Sequence, residues 1–154
     1  MNITIAAVGR MRRGAAAELI AEYLKRNRWN VSIHEIPDAP SNLATDARRA
    51  REGKAILELV GENGLLIALD STGKNLTSPE FTTLIQTAQT NAIKHAIFAI
   101  GGQDGLDAAV LKKAKHILAF GAVTWPHQLL RMMLAEQLYR AYSIAAGHPY
   151  HSGH

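Results

Sequence analysis

Apolar runs bounded by glycine or turn residues alternate along the chain with stretches whose apolar residues recur at helical spacing. Ile3–Val8 is a β-rich run that stops at Gly9, and from Ala15 to Asn27 the residues Leu19, Ile20, Tyr23 and Leu24 share one side of a helix. Val31–Ile36 alternates apolar with polar residues, and Pro37-Asp-Ala-Pro-Ser-Asn42 reads as a loop. A helix is predicted over 44–61, with Asn42 or Thr45 as its candidate cap and Gly61 and Gly64 closing it. Leu65–Leu69 is a continuous apolar run, as expected of a strand buried on both faces, and Asp70-Ser-Thr-Gly73 is expected to break it. Ser78-Pro79-Glu80 predicts a helix start with proline at the first helical position. His95–Ile100 is a further buried strand, followed by Gly101-Gly-Gln-Asp-Gly105 and a short helix over 106–115. Ile117–Phe120 is the fifth strand, and a turn through Pro126 leads to a long helix over 127–146. The tail from Gly147 is too rich in glycine and proline to continue that helix.

This alternation predicts a single α/β domain over residues 1–154, a parallel sheet flanked by helices on both faces. Ligands of such open sheets sit beyond the carboxyl ends of the strands. Three loops therefore become candidates: 70–75, 101–105 and 121–127.

Composition narrows the chemistry. The 154 residues are 47% hydrophobic and 19% charged, within the range of folded domains. The absence of cysteine excludes disulfides, thiolate metal sites and a thiol nucleophile, and it suits a reducing cytoplasm. No positive region precedes the short first apolar run, and no segment reaches the ~20 apolar residues of a membrane span. A cytoplasmic protein with no membrane partner is expected. The net charge of +4 and pI near 9.6 favour polyanionic partners. The cations cluster at Arg10, Arg12 and Arg13; at Lys25, Arg26 and Arg28; at Arg48, Arg49, Arg51 and Lys54; and at Lys112, Lys113 and Lys115. Such runs are either solvated helix faces or, gathered on one side, an RNA track.

Four constellations could carry chemistry. The glycine-rich turn after His95–Ile100 exposes backbone N–H groups, yet fits neither the dinucleotide nor the Walker pattern. It is either a tight strand-to-helix turn or a ligand loop. Gly121-Ala-Val-Thr-Trp-Pro-His-Gln128 is either a helix-entry loop with Trp125 packed on the core or a ligand loop. Thr124 and His127 beside a helix N-terminus would suit a carboxylate or an adenine edge. The long helix carries a wide apolar stripe through Leu130, Met133, Leu134, Gln137, Leu138, Ala141 and Tyr142. With Met132, Tyr139 and Ile144 elsewhere on it, that helix is either a central core element or a subunit interface. Arg131 and Arg140 stand out from it, facing an active site or a carboxylate such as Glu136. The tail, with His148, Tyr150, His151 and His154, lacks the ligand spacing of a zinc site, and no metal is expected. It is either a disordered end or an aromatic and basic cluster suited to stacking on bases.

Taken together, Ile100-Gly-Gly-Gln-Asp-Gly-Leu106, Trp125-Pro-His-Gln-Leu-Leu-Arg131, Ala135-Glu-Gln-Leu-Tyr-Arg-Ala-Tyr142 and His148-Pro-Tyr-His151 resemble a known family. They are similar to the ribosomal RNA pseudouridine N3-methyltransferases of the SPOUT superfamily. The likeness runs through the whole chain, including Ala7-Val8-Gly9 and the Leu69-Asp70 strand end. It implies a C-terminal trefoil knot, which physical reasoning alone argues against because knots are nearly absent from proteins. It also implies a homodimer packed through knots and long C-terminal helices. By carry-over, S-adenosylmethionine is held by Leu69, by Gly101 and Gly102, and by Gly121, Ala122, Val123, Thr124, Trp125, Pro126 and His127. Its methyl group would point toward the other subunit's tail. The turn reads Gly-Gln-Asp-Gly where the family often has Gly-Pro-Glu-Gly, so Asp104 keeps the acidic residue at shorter reach.

The implied reaction is methyl transfer to N3 of a pseudouridine in 23S ribosomal RNA within the assembled ribosome. His151 is the expected proton acceptor, with a neighbouring water as the alternative. Tyr150 and Arg140 are expected to position the base and its flanking phosphates. Two other readings stay open: a SPOUT methyltransferase acting on transfer RNA or ribose, and a non-catalytic RNA-binding factor.

Overall fold

The computed structural model describes residues 1–152; the expectation attached to His154 lies outside them. Five strands form one parallel sheet in the order β2-β1-β4-β3-β5. They are β1 (Asn2–Val8), β2 (Asn30–Ile36), β3 (Leu65–Asn75), β4 (His95–Ile100) and β5 (His116–Ala119). The helices between and after them are α1 (Ala15–Arg26), α2 (Thr45–Val60), α3 (Ser78–Thr90), α4 (Ala108–Lys113) and α5 (His127–Ala145).

The continuous apolar runs have a simple cause, because each central strand feeds two cores. On one face Ile3, Ile5, Ile67, Leu69, Phe98 and Ile100 pack with Phe81 and Ile85 of α3 and with Leu134 and Leu138 of α5. On the other face Ala6, Val8, Leu66, Ala68, Ile97 and Ala99 meet Ile56 and Val60 of α2 and Val110 of α4. Helix α1 lies on α5, so α1, α3 and α5 share one face while α2 and α4 share the other.

Several local expectations change. Neither Asn42 nor Thr45 caps α2; Ala44 holds the cap position in extended conformation with no side-chain bond. Helix α3 starts at Ser78 as predicted, but Thr77 is its cap. Thr77 and Glu80 form a reciprocal capping box, and Pro79 is the second helical residue.

The largest difference is at Asp70–Gly73, which does not end β3. Leu69 pairs with Leu118 before this segment, and Lys74 pairs with the same Leu118 after it. The Asp70 carboxylate accepts the Thr72 N–H at 2.9 Å, within a bulge that shifts the register between Leu69 and Lys74. Strand β3 then resumes along β5. The tail is likewise ordered within the described residues. After Gly147, at φ +67°, a 3-10 turn over Pro149–His151 brings the Tyr150 ring to 4.7 Å from that of Tyr139.

Candidate functional site

All strands are parallel, so their carboxyl ends share one edge, and a cleft of about 480 Å³ opens there. Of the ten residues expected to hold a cofactor, all but Ala122 line it. Ala122 is exposed in the 121–126 loop between two lining neighbours.

The glycine turn forms the floor because its backbone doubles back tightly. Gly105 N–H donates to Gly102 O at 3.0 Å, and a β-carbon on Gly101 would sit 2.6 Å from the Gly105 carbonyl carbon. Only glycine fits there. Asp104 forms an ion pair with Arg48 of α2, with both side chains largely buried, so its carboxylate braces the turn from behind. The shorter Asp104 reaches its partner.

The 121–126 loop forms the opposite wall. Gly121, at φ +93°, donates its N–H to Asn75 Oδ1 at 2.9 Å, which ties the loop to the end of β3. Trp125 does not pack into the core. It is 38% exposed, with its indole N–H donating to Phe120 O at 2.7 Å. Val123 is 60% exposed. Pro126 is the residue before α5 and offers no side-chain cap, so the first-turn N–H groups of the helix are left for a ligand.

Asp70, Ser71, Leu106 and Leu130 also line the cleft and are not among the residues expected to hold the cofactor. The strand-end rule had marked the 70–75 loop, which was the available signal for Asp70 and Ser71. Leu106 and Leu130 read as ordinary core residues, and nothing in their spacing marks them.

The three expected catalytic residues form a separate cluster at the other end of α5. Arg140 donates through Nε and Nη2 to Glu136 Oε1 at 3.0 and 2.7 Å, so the expected Glu136 partner is found. The Tyr150 hydroxyl donates to the same oxygen at 3.2 Å and lies 3.4 Å from the Tyr23 hydroxyl. The Arg140 guanidinium also sits 5.1 Å from the Tyr150 ring centre. Burial first, then the Tyr23 hydroxyl and the Glu136 charge, push the Tyr150 hydroxyl well above the usual tyrosine range. It remains a proton donor at neutral pH. His151 Nδ1 is buried with no hydrogen-bond partner among the described residues.

Arg131 is not part of this cluster. It is fully buried, donating to Gly9 O at 3.0 Å and to Glu35 at 3.3 Å, and so ties α5 to the end of β1.

One chain does not bring the two sets together. Helix α5 runs from the cleft toward the amino edge of the sheet, where Tyr142 meets Trp29 just before β2. Tyr139, on which Tyr150 rests, is twelve residues along α5 from His127, about 18 Å at 1.5 Å per residue. Between them lies a second, more apolar groove of about 580 Å³, bounded by Leu19, Tyr23, Phe81, Met132, Met133 and Glu136. The two cavities share Leu118–Gly121 as a common wall. Among the described residues no cluster of three or more potential metal ligands occurs, and no helix is long and apolar enough to cross a membrane.

Comparison with known proteins gives three kinds of match. The family described as "Predicted SPOUT methyltransferase" matches residues 1–151. A Bradyrhizobium diazoefficiens protein named "Ribosomal RNA large subunit methyltransferase H" is 42% identical, covering 98% of this chain and 99% of that protein. A Rhodospirillum centenum protein of the same name is also 42% identical over the same shares. Among solved structures, a probable methyltransferase from Bordetella pertussis superposes with a TM-score of 0.56 at 12% identity, covering 92% of this chain and 96% of that one. A probable methylase family protein from Haemophilus influenzae gives 0.57 at 14% identity, covering 99% of this chain and 71% of that one. At such identities the structural likeness concerns the fold alone.

Proposed function

The chain belongs to the SPOUT methyltransferase family, and from that premise we propose that it methylates N3 of a pseudouridine in large-subunit (23S) ribosomal RNA. In this reading it works in the cytoplasm as a homodimer on the assembled ribosome, with S-adenosylmethionine as methyl donor. The name carried by the 42%-identical relatives supports the substrate class. The observation that carries the site assignment is the gathering of Leu69, Gly101, Gly102, Gly121 and residues 123–127 around one cleft.

The cleft suits the donor. Its volume falls within the roughly 300–1,000 Å³ of small-molecule sites. It combines apolar walls at Leu69, Leu106, Leu118 and Leu130 with the uncapped N-terminus of α5. When bound, S-adenosylmethionine supplies an electrophilic methyl group on a sulfonium. The chain's own work is then alignment, exclusion of water and removal of one proton. His151 takes the proton from N3. Arg140 and Tyr150, already set by Glu136, orient the base and its flanking phosphates.

The distance between cleft and tail along α5 supports the homodimer, because the tail over a given cleft then comes from the other subunit. The apolar groove between the two sets is the contact surface in this reading. The trefoil knot belongs to the same reading. It is supported by β5 pairing with β3 beyond β4, and by the close crossing of residue 73 over β5.

The test is transfer of labelled methyl groups to whole ribosomes, isolated large subunits and naked RNA, each with and without pseudouridine at the target. Incorporation only into pseudouridine-containing ribosomes is expected. Incorporation into naked RNA or transfer RNA would move the substrate. None anywhere from a folded protein would leave a binding factor.

A further inference from the structure

Four basic clusters occur in the chain, and the fold divides them between two faces. Arg48, Arg49, Arg51 and Lys54 lie on α2, and Lys112, Lys113 and Lys115 lie at the end of α4. These two helices pack together on the face away from α5. Part of that charge is already spent, since Arg48 pairs with Asp104 and Arg49 with Asp46.

The other two clusters belong to the face that carries the cleft and the tail. Arg10, Arg12 and Arg13 are exposed on the loop leaving β1 at the carboxyl edge of the sheet. That loop is pinned from below by Arg131 on Gly9 O, and by Glu35, which accepts both Arg131 and the Met11 N–H. It adjoins the glycine turn, where a β-carbon on Gly102 would meet Val8 at 3.0 Å. Lys25, Arg26 and Arg28 sit at the opposite, amino edge, at the end of α1. The Arg26 guanidinium lies 4.5 Å from the Tyr139 ring centre and 5.4 Å from that of Tyr150, which joins this cluster to the tail. Arg26 also meets Glu22, at 3.4 Å and largely exposed, a weak pairing. Lys25, Arg28, Arg10, Arg12 and Arg13 have no ion-pair partner among the described residues.

Resting on the ribosomal RNA reading above, we propose that RNA phosphates are gripped by Arg10–Arg13 at the cleft rim and by Lys25–Arg28 beside the tail, while the α2/α4 face, also rich in cations but partly neutralised, stays off the RNA. In a dimer that lays one tail over the other subunit's cleft, these two clusters flank the same target base from either side. They contribute counterion release and orientation along the strand, and the base itself is left to the tail.

The test compares two variants that each lose four positive charges. One carries Arg12→Ala, Arg13→Ala, Lys25→Ala and Arg28→Ala; the other carries Arg51→Ala, Lys54→Ala, Lys112→Ala and Lys113→Ala. Both are assayed by methyl transfer to ribosomes bearing the unmethylated pseudouridine across a salt series, with S-adenosylmethionine binding measured by calorimetry. For the first variant KM rises about tenfold or more, and the slope of log KM against log salt falls by about one for each phosphate no longer neutralised. The second variant matches wild type, and both bind the cofactor as wild type does. An equal rise in both variants would reduce the effect to overall charge and overturn the proposal. A rise insensitive to salt would assign the surface to a ribosomal protein and overturn it too. Failure of the wild-type protein to methylate ribosomes while still binding cofactor would instead sink the functional reading on which the proposal rests. Single Lys25→Ala and Arg28→Ala variants carry the test should the fourfold variant not fold.

Discussion

Gly73 lies flush against Leu118, so that a β-carbon at residue 73 would stand 2.6 Å from the Leu118 backbone nitrogen. The contact is backbone on backbone, and no rotamer change relieves it. It marks where the end of β3 crosses β5 between the two ladders that both include Leu118.

Gly73→Ala is therefore expected to force β3 and β5 apart, costing about 3 kcal/mol or more by overpacking. Urea unfolding measures it. A midpoint within error of wild type would show that the crossing is looser than described.

Asp104→Asn should loosen the glycine turn, because it removes the charge partner of a largely buried Arg48 whose Nε has no hydrogen-bond partner among the described residues. The expected result is weaker S-adenosylmethionine binding with a stability loss of about 2 kcal/mol. Calorimetric titration and urea unfolding of the same preparation read both. Cofactor affinity at the wild-type level would separate the Arg48 pair from the cleft.

Tyr150→Phe keeps the ring on Tyr139 and deletes the hydroxyl that reaches Glu136 and Tyr23. A loss of about 1 kcal/mol is expected in kcat/KM for ribosomes, with cofactor affinity unchanged. Single-turnover transfer measures it, and an unchanged rate would remove the hydroxyl from substrate positioning.

If cleft and tail meet across a subunit boundary, two inactive variants complement each other. Co-expressed Gly101→Ala and Arg140→Ala chains should regain about a quarter of wild-type turnover, since half of randomly paired dimers hold one intact site. Activity in neither the separate nor the mixed preparations would place cleft and tail of one chain at the same site.

His116 has a folded pKa held below its ordinary 6.5, by burial first and then by the charge of Lys115. The folded state therefore binds this proton less readily than the unfolded chain. Its contribution to stability is whole above pH 6.5 and declines as pH falls below it. Urea midpoints on either side of pH 6.5 should show that slope in wild type and a shallower one in His116→Asn; equal slopes would remove His116 as the cause.

Strands β1 and β4 were legible in the sequence because burial on both faces leaves runs such as Ile3–Val8 and His95–Ile100 almost wholly apolar. The cleft was half legible. Strand ends in a parallel sheet must gather at one edge, which marked the loops at 70, 101 and 121. Nothing in local spacing distinguished Leu106 or Leu130 from core residues.

What the amino-acid order determined by itself was the type of the main strands and helices, the two-sided burial of β1 and β4, and the edge where a cleft opens, since these follow from local periodicity and backbone chemistry. The apolar stripe on α5 was only half its buried face: Arg131, Ala135 and Tyr139 are buried, while Leu130, Met133, Gln137 and Tyr142 stay partly exposed. Tertiary structure alone decided that β3 continues past Gly73 to meet Leu118 a second time and that Arg131 pairs with Glu35 across the fold. It alone decided that Tyr150 rests on Tyr139, about 18 Å along α5 from His127. The first two join residues that are partners only once the chain has closed long loops, and the third depends on how the chain turns back after α5; no short stretch of sequence carries that information.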